Sequence, residues 1–171
     1  MFKCRQIFKA PIESMFTCSI NFEERAKWDV KINEFKEYSM TPDKSAGRVY
    51  YKFISPVKGI VADRDFYIQQ LTRRNFPRQG DIAIMNKSLP LHPECPLVPG
   101  KVRARMVQVG FVYRPFIDPV TGAEWTDTFM VSCVDIAGVF PKFMINNFSA
   151  SVPRENFAEF ERGAIAHANS Q

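Results

Sequence analysis

The residue types that usually carry catalysis are sparse. Only two histidines occur in 171 residues: His92 inside the proline-rich run SLPLHPECPLVPGK, and His167 near the C-terminus. Both sit where exposure to solvent is expected. An enzyme site needs an acid, a base or a nucleophile converging on one point, and the sequence has neither a G-x-S-x-G elbow nor a metal-spaced ligand set. Cys4, Cys18, Cys95 and Cys133 lack C-x-x-C spacing and read as reduced thiols of a cytosolic protein. No catalysis, metal or cofactor is expected. What remains is non-covalent recognition by polar groups set among apolar ones. In SPVKGIVADRDFYIQQL (55–71) an ion-forming Arg64-Asp65 pair follows a loop tipped by Val57, Ile60 and Val61 and precedes Phe66. Further along, Gln70 shares a strand face with Phe66 and Ile68. A buried amide needs a partner, here another side chain, a water or a ligand head group.

These groups are positioned by an antiparallel β pattern. Strands are expected at 2–9, 32–39, 48–55, 63–74, 81–88, 101–114 and 124–136, joined by turn signals such as TPDKSAG, NFPRQG and DPVTG. Between the first two strands, Pro11 suits the first turn of a helix running to about Ser19, and Asn21 with Glu24 opens a second short helix ending near Trp28-Asp29. The prolines of 88–101 exclude helix and central strand there. From Pro141, apolar residues Met144, Phe148 and Val152 recur at helical spacing; Pro153 should interrupt, and Phe157, Phe160 and Ala164 continue an apolar face. The expected α+β architecture is a curved antiparallel sheet closed by a long C-terminal helix.

Alternation assigns the inner faces. Val49, Tyr51 and Phe53 point inward on RVYYKFIS, as do Phe66, Ile68 and Gln70 on the next strand. On EWTDTFMVSCVDI the inner set is read as Phe129, Val131 and Cys133, although Trp125 and Asp127 share that phase. On VRARMVQVGFVY neither face is continuous, and a bulge reconciles them.

The chain is long enough for one domain, residues 1–171, with a sizeable core or a core hollowed around a ligand. Sixteen phenylalanines make either an apolar lining or a Phe-heavy core. The net charge of +5 is scattered, without a block of five or six basic residues. It reads as a solvated surface or a weak attraction to anionic membranes, and no nucleic-acid motif accompanies it. The N-terminus lacks the apolar run of a signal peptide, and no stretch reaches the about 18 apolar residues of a membrane span.

Several of these pieces together resemble the StAR-related lipid-transfer (START) domains, nearest in pattern to the phosphatidylcholine-transfer branch. They are Trp28-Asp29 after a short helix, VYYKF (49–53), Ser55-Pro56 with Arg64-Asp65-Phe66, VRA (102–104), and VDIAGVFPKFMINNF (134–148). The resemblance implies a helix-grip fold in which the sheet wraps a long C-terminal helix around an apolar tunnel holding one lipid. SPVKGIVAD would be the gate loop: Arg64 and Asp65 pin its base, and Val57, Ile60 and Val61 meet the lid or the bilayer. Arg64-Asp65 also reads simply as a fold-stabilising pair. Family members normally begin with a helix and two strands ahead of the segment matching 2–9, and nothing in the sequence supplies them. An unpaired first strand would favour association.

The resemblance also bears on the ligand. In the phosphatidylcholine-transfer branch an arginine three residues before Trp-Asp meets the phosphate, here Arg25, which otherwise reads as an exposed helix residue. The cage for the quaternary ammonium falls on Tyr51, Phe66 and Val107, and is incomplete. In the cholesterol-carrying branch an acid and an arginine stand in the places of Tyr51 and Gln70. The expected ligand is a glycerophospholipid, contacted by Arg25, Tyr51, Phe53, Phe66, Ile68, Gln70, Phe129, Val131, Cys133, Met144 and Phe148. A sterol, whose hydroxyl needs only one or two hydrogen bonds, is the alternative. The expected activity is transfer between membranes with transient docking, aided by Lys58; lipid sensing without transfer and a helix-grip enzyme are the rivals.

Overall fold

The structure, a computed structural model, describes residues 1–55, 61–138 and 152–171. Its elements run β1 (Phe2–Phe8), α1 (Ile12–Ile20), α2 (Phe22–Ala26), β2 (Ile32–Met40), β3 (Ala46–Phe53), β4 (Arg64–Arg74), β5 (Ile82–Ser88), β6 (Val102–Arg103), β7 (Arg105–Ile117), β8 (Glu124–Asp135) and α3 (Val152–Asn169). The main sheet has the order β1-β8-β7-β5-β4-β3-β2, antiparallel throughout, with the two-residue β6 added parallel to β4. One asparagine makes the corner between the first helices. The Asn21 N–H donates to the Thr17 carbonyl at 2.9 Å and closes α1, while its Oδ1 accepts from the N–H of Glu23 and Glu24 and opens α2. Glu24 does not complete a capping box; it pairs with Lys27 at 2.7 Å.

The expected bulge lies in β7. Register shifts between Met106 and Gln108, which sets Val107 out into solvent. Ala104 and Met106 therefore face inward before the bulge, and Val109 and Tyr113 after it. The same register corrects the phase of β8. Met130 stands opposite Phe111 and Thr128 opposite Tyr113, so Thr126, Thr128 and Met130 face the core, and Phe129, Val131 and Cys133 lie on the outer face. Simple alternation misleads here because both faces break the polarity rule. Inside, Thr126 is buried but donates its hydroxyl to the Ala10 carbonyl at 2.7 Å. Outside, the Phe129 ring has the Arg5 and Arg114 guanidinium groups 5.0 and 5.3 Å from its centre.

Two apolar clusters fill the inner side. One joins Phe8, Met15, Ile82 and Tyr113 to Phe160 and Ala164 of α3; the other joins Val49, Tyr51, Phe66, Ile68 and Met106. On the outer side Cys95 of the proline-rich loop packs with Tyr50 and Tyr67 in a third, smaller cluster. The neighbours Arg64 and Asp65 part company: Asp65, 1% exposed, takes a bidentate pair from Arg103 at 3.0 and 3.1 Å. Arg64 donates to the carbonyls of Ala62, Ile136 and Ala137, tying the end of the 55–63 connection to the end of β8.

The last helix is held to α1 and α2 through a glycine. A Cβ on Gly163 would lie 2.6 Å from the Trp28 ring. The ring also packs 4.9 Å from Phe160, and its N–H donates to the Cys18 carbonyl. At an exposed helix site Gly→Ala gains about 1 kcal/mol. Here the added methyl must displace an indole, so Gly163→Ala is expected to lose about 1–3 kcal/mol. Urea unfolding checks this, and a stabilised variant would show that Trp28 does not rest on the helix.

Candidate functional site

Between the inner sheet face, α2 and α3 lies a cavity of about 180 Å³. Its apolar walls are mainly aromatic, with Trp28, Phe53, Phe111, Phe157 and Phe160 around it and Met130 from β8. Set into this lining are three carboxamides, Gln70, Asn86 and Asn156, the last of which accepts from Lys31. Gln70 and Asn86 are cross-strand partners on β4 and β5. They do not satisfy each other: the Gln70 Nε2 donor and the Asn86 Oδ1 acceptor are both buried without a partner among the described residues. Such groups cost roughly 1–3 kcal/mol each when left unpaired. A hydroxyl is the simplest group that meets both needs, accepting from Gln70 and donating to Asn86.

Charge is present at the rim but already compensated. Arg25 borders the cavity, and its Nε and Nη2 both donate to Asp29 Oδ2 at 3.1 Å. Its guanidinium carbon stands 5.7 Å from the Tyr51 ring centre and 5.8 Å from that of Trp28. Tyr51 is buried; its hydroxyl donates to Met106 Sδ at 3.2 Å, and burial pushes its ionisation well above the usual range. The Tyr113 hydroxyl, likewise pushed up by burial, shares a 2.7 Å hydrogen bond with Ser19. At the far side, Lys31 bonds Asn156 and pairs with Glu159 at 3.6 Å, linking α3 to the start of β2.

The expected contact residues fall into four groups. Arg25, Phe53 and Gln70 border the cavity. Tyr51, Phe66 and Ile68 belong to the apolar cluster beside it. Phe129, Val131 and Cys133 are on the wrong face, for the register reason given above. Met144 and Phe148, with Val57, Lys58 and Ile60 of the expected gate loop, lie outside the described residues, whereas Val61 is buried and Arg64 clamps carbonyls. The ammonium cage does not assemble. Tyr51 and Phe66 stack on each other with centroids 5.5 Å apart, Arg25 already occupies the approach to Tyr51, and Val107 points into solvent. Asn86 was legible but missed: in IAIMNKS it shares a face with Ile82 and Ile84, the same signal that singled out Gln70. His92 and His167 border no part of the cavity; they contact Glu94 and Ser14 respectively. No group of three potential metal ligands occurs among the described residues, and no described helix is long and apolar enough to cross a membrane.

Comparison with known proteins fits this geometry. The sequence profile described as "START domain" matches residues 9–159. Human STARD10 superposes with a TM-score of 0.79 at 23% identity, covering 98% of this chain and 64% of that one. The chain thus spans less than two thirds of its length. Human StAR-related lipid transfer protein 5 superposes with a TM-score of 0.82 at 20% identity, covering 97% of this chain and 76% of that one. A StAR-related lipid transfer protein fragment from Xanthomonas axonopodis gives 0.68 at 15% identity, with 95% and 84% coverage. No curated protein matches the sequence. These likenesses establish the helix-grip fold, an eight-stranded curved sheet with a C-terminal helix, and by the profile match over most of its length the chain belongs to the START domain family.

Proposed function

We propose that the chain takes one lipid into the cavity between sheet and α3 and carries it between membranes, and that the lipid's buried polar group is a hydroxyl. The observation that carries this reading is the unpaired donor of Gln70 beside the unpaired acceptor of Asn86 in an aromatic-walled cavity. The driving force is apolar. Each methylene contributes about 0.8 kcal/mol on leaving water, so about 30 methylenes of a two-chain lipid contribute ~24 kcal/mol. A cavity of about 180 Å³ lies below the roughly 300–1,000 Å³ of ordinary ligand sites. Loading therefore requires the aromatic walls to repack or α3 to move outward, as in other sites that close over their ligands.

A glycerophospholipid is the second reading, supported by Arg25 at the cavity wall. It requires the arginine to share or release Asp29, because a buried phosphate needs more than a compensated guanidinium. The two readings separate cleanly in variants. With a sterol or diacylglycerol as ligand, Gln70→Leu or Asn86→Leu is expected to weaken binding about tenfold, and Arg25→Ala to change it little. Titration of fluorescent lipids, with native mass spectrometry of the purified protein, decides the matter. Loss on Arg25→Ala with no effect of the amide variants would establish the phospholipid instead. Co-purification of no lipid, with no binding of either class, would remove the carrier reading.

Transfer requires contact with a bilayer, and the net charge of +5, with Lys58 in the gate loop, supports docking on anionic surfaces. Transfer between vesicles containing phosphatidylserine is expected to slow severalfold at high salt. A rate indifferent to salt would count against electrostatic docking.

A further inference from the structure

The outer face of the sheet carries a depression that lipid carriage does not use. Leu71, Met85, Gly110 and Val131 are successive cross-strand neighbours on β4, β5, β7 and β8, and they form one apolar row across the sheet. At about 4.8 Å between strands the row spans roughly 14 Å. Leu71 and Met85 are among the most exposed large apolar residues of the sheet. The floor between them and Val131 is low because Gly110 has no side chain. That glycine is not demanded by the backbone. Its φ is ordinary, and a Cβ there would meet only the Ile84 carbonyl, at a comfortable 3.6 Å. A strand-interior glycine costs stability, and where the fold does not require it, it marks a close approach by another group. The resulting depression, about 450 Å³, continues past Leu71 and Met85 into a second of about 780 Å³ beside the proline-rich loop at Leu89–Leu91.

The rim is basic. Arg73, Lys87 and Arg105 border the two depressions, and none has an ion-pair partner among the described residues. The fourth cation, Arg103, is taken by Asp65. An apolar floor with unpaired cations on its banks is complementary to a segment with an apolar stripe and acidic flanks. All four strands are paired on both sides, so this face offers no backbone edge to an added strand. The width suits a helix of about 10 Å diameter.

We infer that the outer groove over Leu71, Met85, Gly110 and Val131 is a docking site for an acidic amphipathic helix of a partner protein. The stripe of the helix sits on the apolar row, in the helix-in-groove mode, and its acidic flanks meet Arg73, Lys87 and Arg105. A second copy of the chain is disfavoured by the like charge of +5 on each. A flat bilayer is disfavoured because the floor at Gly110 lies below the exposed Leu71 and Met85 side chains beside it.

The probe is a synthetic dye-labelled amphipathic peptide with leucines at i, i+3, i+4 and i+7 and glutamates on the flanks, compared with the same peptide carrying lysines. Binding to the full chain is followed by fluorescence anisotropy and by amide chemical shifts. The acidic peptide is expected to bind at least tenfold more tightly than the basic one and to shift the amides of Leu71, Met85, Gly110 and Val131. Gly110→Val fills the floor, leaves the inner face and lipid binding intact, and is expected to weaken the peptide about tenfold; Arg73→Glu with Arg105→Glu should do the same. Equal binding of the two peptides, shifts elsewhere, or a Gly110→Val protein that binds like the wild type would overturn the inference. So would concentration-dependent dimers lost in Gly110→Val, which assign the groove to a second copy, or phosphatidylserine vesicle binding lost in that variant, which assigns it to a membrane.

Discussion

Two carboxamides facing each other across β4 and β5 set the constraint around which the interior is arranged. Gln70 and Asn86 could in principle have closed a mutual hydrogen bond, yet each keeps one polar atom unpaired beside a cavity walled by aromatic rings. In a solid core this would be a defect worth several kilocalories. Beside a cavity that receives a ligand with its own polar group, the same defect becomes selectivity, because a molecule lacking that group leaves both amides unsatisfied.

The surrounding packing keeps the cavity from collapsing. α3 is clamped through its middle and C-terminal parts: Phe160 lies edge-on to Phe8, Ala164 is fully buried, and Gly163 lets the Trp28 ring rest against the helix. Nearer its N-terminal end, Phe157 also lies edge-on to Phe8 with centroids 5.8 Å apart, and Lys31 adds polar, partly exposed ties to Asn156 and Glu159. On the strand side, Arg64 ties the end of the 55–63 connection to the end of β8 through backbone carbonyls rather than through the adjacent carboxylate.

Much of this was legible in the sequence, where local chemistry decides. The strand series, the corner at Asn21, the bulge in β7 and the inward Gln70 all follow from period, capping and the logic of a lone polar group among apolar ones. Errors arose where tertiary partners override local pattern. Phe129 faces outward because two guanidinium groups receive it, and Thr126 faces inward because the Ala10 carbonyl does. Asp65 pairs with Arg103, which is 38 positions away and invisible to any reading of adjacent residues. Asn86 needed only the face rule already applied to Gln70, carried to the next strand.

The most direct measurement is photo-crosslinking with a diazirine-bearing sterol loaded into the purified protein, followed by peptide mass spectrometry. Label is expected on inner-face residues such as Ile84, Phe111 and Met130, with the outer face untouched. Label confined to the outer face or the loops, with those three residues unmodified, would contradict the interior site.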